Sequence, residues 1–218
     1  LTFEVPVAAR LQTIDFPAPP DATYGDKVQL AAASSSGLAI SFQVVSGPAV
    51  LSGSSLSPTG IGVVVVRATQ KGDEGTIAAQ AVERSFAVLP RALNVAAVTA
   101  SRVFGVGNPP LLLSYAGFAP GEGAEVFTAA PTVSTDANAS SPPGDYTIVV
   151  SGGVAANYTI TRSNGKLTIL KAPQTISFPG IPDQTVGNLP LQLAVSADSG
   201  RVPDLFLVSG PATLSGNS

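Results

Sequence analysis

The sequence has no cysteine, histidine, methionine or tryptophan. Without thiol or imidazole there is no thiolate nucleophile and no imidazole base, and the usual ligands of zinc, haem and iron–sulfur clusters are missing. Disulfides are impossible, so burial and backbone hydrogen bonds must hold the fold. Charge is also scarce. Only 11% of residues are charged, with 11 basic against 14 acidic, a net charge of −3. That balance gives no electrostatic footprint for nucleic acid or an anionic membrane. No run of 18 apolar residues occurs, so no membrane-spanning helix is expected.

What is present is glycine, proline and short aliphatic runs. The 218 residues include 22 Gly and 19 Pro, and 44% are hydrophobic, mostly Val, Ala, Leu and Ile. The first residue is Leu1 rather than Met, and no charged-then-apolar leader follows it. We read the chain as a piece of a longer protein.

An internal repeat organises the sequence. Residues 12–25 (QTIDFPAPPDATYG) match residues 174–187 (QTISFPGIPDQTVG), and residues 29–55 match 192–218 after one inserted residue. The period is about twice a small β-domain, so each period is expected to hold two domains. The expected organisation is the end of a preceding domain plus linker over 1–11, where LTFEV matches KLTIL in pattern, then an Ig-like domain over 12–89. A second β-domain covers 91–171, and the N-terminal half of another Ig-like domain covers 174–218. The joints LPR (89–91) and KAP (171–173) are short and carry proline, which predicts a semi-rigid string.

No segment has a helical period with caps, and short β-rich runs recur between turn clusters. In the first domain the expected strands are Thr13–Phe16, Val28–Ala32, Ile40–Val45, Ala49–Leu51, Val63–Ala68 and Ser85–Leu89. In the second they are Leu93–Ala96, Leu111–Tyr115, Pro131–Ser134, Tyr146–Ser151, Tyr158–Arg162 and Lys166–Leu170. The run of four valines, 63–66, reads as a central strand or one under a domain contact. Asn164-Gly165 is the pair a type I′ turn selects, so 158–170 is predicted to be a two-stranded hairpin. Tyr158, Ile160, Leu167 and Ile169 would then share an apolar face. The fold class is all-β: tandem Ig-like β-sandwich domains in an elongated array, the last one truncated. In that last piece Ile176, Phe178, Leu191, Leu193, Leu205 and Leu207 would present an uncovered apolar face.

Three stretches of the second domain resemble the MBG-type, mostly-β repeat of large bacterial surface proteins: 101–122 (SRVFGVGNPPLLLSYAGFAPGE), 139–161 and 164–169 (NGKLTI). Phe104 stands where many such repeats carry Tyr before Gly105. The first domain is similar to the bacterial Ig-like repeats that alternate with them, through QTIDF, ATYGD, 35–53 and ERSFAV (83–88). The resemblance implies a secreted or surface-displayed multi-repeat protein and implies no catalytic residues.

Candidate sites weigh against chemistry. Asp21, Asp26, Asp73, Glu74, Glu122 and Glu125 fall in turns, and none belongs to a calcium loop supplying six to eight oxygens; solvated turn residues are the better reading. Tyr115, Phe118 and Phe127 are the only aromatic cluster and read as core rather than a sugar platform. Asn138 and Asn157 begin N-x-[ST] sequons that read as coincidental. The glycine-rich stretches 105–110 and 150–157 lack the helix and lysine of a phosphate loop. The four lysines, Lys27, Lys71, Lys166 and Lys171, are placed in turns or joints, unsuited to an isopeptide crosslink. No catalytic, cofactor-binding or metal residue is assigned, and no cofactor. The expected function is a structural stalk or spacer outside the cell, not an enzyme, whose partners are the neighbouring domains of its own chain. The alternative is an adhesive module binding a protein or glycan by loops or an edge strand.

Overall fold

The structure is a computed structural model that describes residues 9–187 and 189–216. The expectation that LTFEV (1–5) closes a preceding domain lies outside the described residues. The protein is all-β, and among the described residues the only helical element is a 3-10 turn at Ala124–Val126.

The first sandwich uses nine strands: β1 (Ile14–Asp15), β2 (Ala22–Thr23), β3 (Val28–Gln29), β4 (Ala33–Ser34), β5 (Ser41–Ser46), β6 (Ala49–Ser52), β7 (Ser55–Pro58), β8 (Gly62–Thr69) and β9 (Val82–Leu89). One sheet has the order β2-β9-β8-β5 and another β3-β7-β6, while β1 pairs with β4. The four-valine run is the central strand β8. Alternation is restored once it is placed between β9 and β5: Val64, Val66 and Ala68 are fully buried, and Val63 faces solvent. These side chains meet Phe16, Leu30, Leu56, Phe86 and Val88 in one core. The short strands β2, β4 and β7 had no signal of their own, because two to four residues among Pro, Ser and Gly carry no readable period.

The second sandwich uses β10 (Arg91–Ala97), β11 (Ala100–Val103), β12 (Leu113–Ala116), β13 (Ala129–Ser134), β14 (Gly144–Val154), β15 (Tyr158–Ser163) and β16 (Gly165–Leu170). Its sheets run β12-β10-β15 and β11-β16-β14-β13. The expected hairpin at 158–170 is therefore wrong. β15 pairs in parallel with β10, whereas β16 pairs in parallel with β11 and antiparallel with β14, in the opposite sheet. Asn164 and Gly165 have no positive φ, which a type I′ turn would demand of both. The chain crosses between sheets here instead, and Asn164 Oδ1 accepts a hydrogen bond from the Val150 N–H (3.1 Å). The facing pattern survives the error. Tyr158, Leu167 and Ile169 are buried and Ile160 is half-buried, because they point into the space between sheets from opposite sides.

β10 and β11 switch sheets together with β15 and β16. From Arg91↔Tyr158 to Val103↔Leu170 the residue offset never changes, so the first and last strands form one parallel ribbon bent across both sheets. The first sandwich repeats the device: Arg10 bridges Thr76 in parallel, and Ala22 and Thr23 pair in parallel with Val88 and Leu89, again at one offset. The ribbon includes a buried arginine that the sequence did not flag. Arg102 donates to Asn108 Oδ1 (2.7 Å), to the Val103 carbonyl (3.3 Å) and to the Asn138 carbonyl. Three neutral acceptors satisfy its guanidinium without a carboxylate.

β17 (Ile176–Ser177) pairs with β18 (Ser196–Ala197). Both copies of the QTI repeat begin with this clasp. Ser35 N–H donates to the Thr13 carbonyl and Asp198 N–H to the Thr175 carbonyl, and a serine hydroxyl holds each glutamine, Ser36 on Gln12 and Ser199 on Gln174. Burial differs sharply. Phe16 is 1% exposed under β8 and β9, whereas its counterpart Phe178 is 48% exposed, and Ile176 and Leu207 are similarly open. Leu191, Leu193 and Leu205 are partly exposed.

Gly165 is required by close approach. A Cβ there would lie 2.7 Å from the Ala97 carbonyl oxygen and 3.0 Å from Ala97 Cβ. Gly165→Val is expected to destabilise the second sandwich by about 1–3 kcal/mol, the cost of overpacking. An unchanged urea midpoint would show that β16 does not pass this close to β10.

Candidate functional site

The most built feature is the joint between the two sandwiches. β9 ends at Leu89 and β10 begins at Arg91, so Pro90 alone separates them. Pro90 cannot donate a ladder bond and fixes its own φ, which marks the handover from one sheet to the next. The Arg91 N–H donates to the Asn157 carbonyl (3.0 Å), continuing β10 along the start of β15. Its guanidinium turns back, donating to the Tyr24 carbonyl (3.2 Å), the Gly117 carbonyl (3.2 Å) and the Asp26 carboxylate (2.9 Å).

Tyr24 follows the short strand β2, and its N–H donates to the Leu89 carbonyl (2.9 Å). Gly25 follows at φ +87°, closing a turn through Asp26 N–H on the Thr23 carbonyl (3.0 Å). The turn presses against the second sandwich so closely that a Cβ at Gly25 would sit 2.5 Å from Ala119 Cβ. The rings of Tyr24 and Tyr158 meet edge to face with centroids 5.7 Å apart. Glu122 receives both hydroxyls: Tyr24 donates to Oε1 (2.7 Å) and Tyr158 to Oε2. The Ala119 N–H donates to the Tyr158 hydroxyl oxygen (2.9 Å), and the Ile61 N–H to Asn157 Oδ1 (3.3 Å). Leu93, Ala119, Ala155 and Tyr158 are thereby buried in the same core as Phe16, Leu56 and Val64. A shallow groove of about 490 Å³ beside the turn is lined by Lys27, Ser57, Pro58 and Pro120 among others.

The phenols carry the electrostatic signature. Burial, reinforced by the bond to Glu122, pushes Tyr158 up to about 12, with the Ala119 N–H opposing. Tyr24 is raised chiefly by its bond to the Glu122 carboxylate and then by burial. Tyr158 stays neutral because it is buried and faces Glu122 within its own sandwich, and Tyr24 because its phenolate would face that carboxylate across the joint.

Glu122 is thus not a solvated turn residue, as its glycine-rich setting suggested, but the shared acceptor of two hydroxyls. The other acids keep to turns. Asp21 Oδ1 accepts from the Ala87 N–H (2.7 Å), Asp73 from the Gly75 N–H (3.0 Å) and Glu125 from the Gly123 N–H (2.6 Å), while Glu74 stands exposed. Among the described residues no three acids gather as a metal site would require. Tyr115, Phe118 and Phe127 do cluster, with centroids 5.6 to 6.2 Å apart, and Phe118 carries the cluster on to Tyr158. Tyr115 keeps 36% exposure, so this is a half-open extension of the core. Asn138 caps an exposed turn through Ser140. Lys166 lies in β16 rather than a turn, paired with Asp145 at 3.0 Å on the exposed face. The bond from Thr168, then Lys166, holds the Asp145 carboxyl below its usual range. The joint contacts of Tyr24 and Arg91 gave no signal in the sequence, since their partners lie up to 134 positions away along the chain.



Comparison with known proteins gives one family match. Residues 93–168 match the family profile of the MBG domain (YGX type). A search of curated proteins finds no match. Among solved structures the chain is similar to the crystal structure of Drosophila N-cadherin EC1-4, at 10% identity and a TM-score of 0.29. The alignment covers 74% of this chain and 50% of that one, so the chain spans about half the length of the structure it matches. At that level the likeness carries no argument.

Two outcomes test the site. In an alkaline titration followed by phenolate absorbance, one phenol should ionise near pH 12, and Tyr158→Phe should remove that step. The unfolded phenol ionises near 10.0, so the stabilisation from neutral Tyr158 is complete below about pH 10 and is lost as pH rises towards about 12. A late step that persists in Tyr158→Phe would contradict the geometry. Separately, chelator should leave the thermal midpoint unchanged. A fall of about ten degrees would mean that Asp21, Asp73 or Glu122 holds a cation.

Proposed function

We propose that this chain is a segment of a structural stalk or spacer in a large bacterial surface or secreted protein. In this reading it carries no catalysis and holds a distal module away from the cell. One observation carries the reading: the segment that enters each sandwich runs parallel to the segment that leaves it, Arg10 and β2 beside Thr76 and β9, and β10 and β11 beside β15 and β16. A chain that enters beside Tyr158 and leaves beside Val103 enters and leaves at opposite poles. Strands at about 3.3 Å per residue make the pole-to-pole rise of the second sandwich roughly 40 Å. Sandwiches joined in this manner add length, where antiparallel terminal strands would return the chain to its starting end.

The joint supports the same reading. A single residue between β9 and β10, a shared core, and the Tyr24–Glu122–Tyr158 bridge leave little freedom for bending. The match of 93–168 to the MBG domain supports a place among surface-protein repeats and an extracellular setting. Few charges and no thiols suit that setting.

Residual dipolar couplings on the full chain test rigidity directly. Amides of β5, β8 and β9 should fit one alignment tensor together with those of β10, β14 and β16. Two tensors of clearly different magnitude would mean that the sandwiches swing independently, and the spacer reading would lose its mechanical basis.

A further inference from the structure

The second sandwich holds two Asn-x-Ser/Thr sequons, at Asn138 and Asn157, and the structure separates them. Asn157 is spent on the joint. Its Oδ1 accepts from the Ile61 N–H (3.3 Å), its side chain also hydrogen-bonds the Tyr24 hydroxyl, and its carbonyl takes the Arg91 N–H (3.0 Å). A Cβ on Gly60 of the first sandwich would lie 3.7 Å from that same Oδ1, so the neighbouring sandwich closes over the side chain.

Asn138-Ala139-Ser140 is the opposite case. All three residues are exposed, in the loop between β13 and β14. The Ser140 hydroxyl donates to Asn138 Oδ1 (2.6 Å), and the Ser140 N–H donates to the same oxygen (3.0 Å). Among the bonds of the described residues, Asn138 Nδ2 takes part in none. The loop is pinned from behind. Ala137 is buried, and Asn108 Nδ2 donates to its carbonyl (2.6 Å). The buried Arg102 donates to Asn108 Oδ1 and to the Asn138 carbonyl. Ser141 closes the turn, its N–H on the Asn138 carbonyl (3.0 Å) and its hydroxyl oxygen accepting from the Asn138 N–H (2.9 Å). The backbone of one exposed asparagine is thus fixed while its amide nitrogen stays open to solvent.

We propose that Asn138 is an N-glycosylation site, and that its sugar comes from a glycosyl diphosphate donor by way of a transferase. This rests on the extracellular setting of the spacer reading. In the transfer a bond forms between Asn138 Nδ2 and C1 of the sugar, and the bond from C1 to the diphosphate oxygen breaks. The diphosphate leaves with that electron pair, and Nδ2 gives up one proton to a base of the transferase. A carboxamide nitrogen resists such a step because its lone pair is shared with the carbonyl. The two hydrogen bonds on Oδ1 draw charge to the oxygen and make the Nδ2 protons more acidic, so the Ser140 hydroxyl already stands where the chemistry needs it.

Two further features fit the assignment. Asp136 is exposed two residues before the acceptor, where its carboxylate can pair with a cationic residue of the transferase. β13, which ends just before this loop, is the edge of its sheet. A bulky, solubilising group beside an edge strand hinders edge-to-edge pairing with another chain.

Mass spectrometry of the chain isolated from the cells that make it, with fragmentation that locates the modified residue, tests the assignment. The expected result is a sugar on Asn138 and none on Asn157. A single sugar marks a nucleotide-linked donor and a preassembled oligosaccharide a lipid-linked one, and either supports the site. Ser140→Ala should abolish the modification and Ser140→Thr should keep it. Asp136→Asn should lower the ratio of modified to unmodified chain about threefold, the worth of one exposed ion pair; an undiminished ratio overturns the role given to Asp136. A bare Asn138 overturns the proposal, as does a modification that survives Ser140→Ala. Protease added to intact cells separates this outcome from the spacer reading. If the chain is cleaved, and so lies outside, while Asn138 is bare, only the glycan assignment fails. If the chain is shielded, the extracellular setting fails with it.

Discussion

The two sandwiches depend on the parallel pairing of the segment that enters each, β2 or β10 and β11, with the segment that leaves it, β9 or β15 and β16. Parallel neighbours cannot be joined by a tight turn, so the rest of the sandwich must be threaded between them. That ordering makes the defining ladder a contact between residues 66 or 67 positions apart in sequence. It also sets the geometry, because the two chain ends of each sandwich are driven to opposite poles. The switch of sheet at 98–99 and at Asn164 lets one ribbon seal both layers, and it places Gly165 against Ala97, where no side chain fits. The buried Arg102 belongs to the same ribbon. It ties β11 to the 105–110 loop and to Asn138, so a long proline-bearing loop is fixed to the strand that carries the chain's departure.

The joint between the sandwiches is built without much charge. The Arg91–Asp26 pair is partly exposed and contributes little by itself. Its value is directional, because the same guanidinium also holds the Tyr24 and Gly117 carbonyls. The main contribution is the burial of Tyr24 and Tyr158 with their hydroxyls satisfied. A buried phenol without an acceptor is costly, and Glu122 supplies one to each. Tyr24 comes from the first sandwich and Glu122 and Tyr158 from the second, so separating the sandwiches would leave the Tyr158 bond in place and take the acceptor away from Tyr24 alone.

Much of the fold was legible in the sequence, and the failures have specific causes. Alternation located the long strands, because side-chain period is set locally by the backbone, and the unbroken run Val63–Val66 left a central strand or a domain contact open, of which the structure shows the central strand. It also gave the inward face of Tyr158, Leu167 and Ile169. It could not say which strand lies beside which. Asn164-Gly165 looks like a hairpin turn in any local reading, and only the tertiary alternative, parallel pairing with β10 and β11, overrides it. Glu122 failed for the same reason: a carboxylate in a glycine-rich loop reads as solvated until two tyrosines from distant segments arrive. The repeat was the strongest signal, and the shared clasp of β1–β4 and β17–β18 is its local expression.

The aromatic-glycine turn links the repeat to the mechanics. Tyr24, Phe104 and, by alignment of the two repeat copies, Val186 stand before the glycines that turn the chain at Gly25, Gly105 and Gly187. The backbone requirement is common to the three, since each glycine has positive φ, between +84° and +96°. The side chain before it varies from a phenol to a phenyl ring to an aliphatic. Only the phenol can send a hydrogen bond across a joint, the phenyl ring can stack, and the valine, 102% exposed here, can only be covered. The turn is therefore a constant frame carrying a variable contact. Under the proposed spacer reading, the backbone turn would stay the same from joint to joint while this one side chain changes the contact it can make.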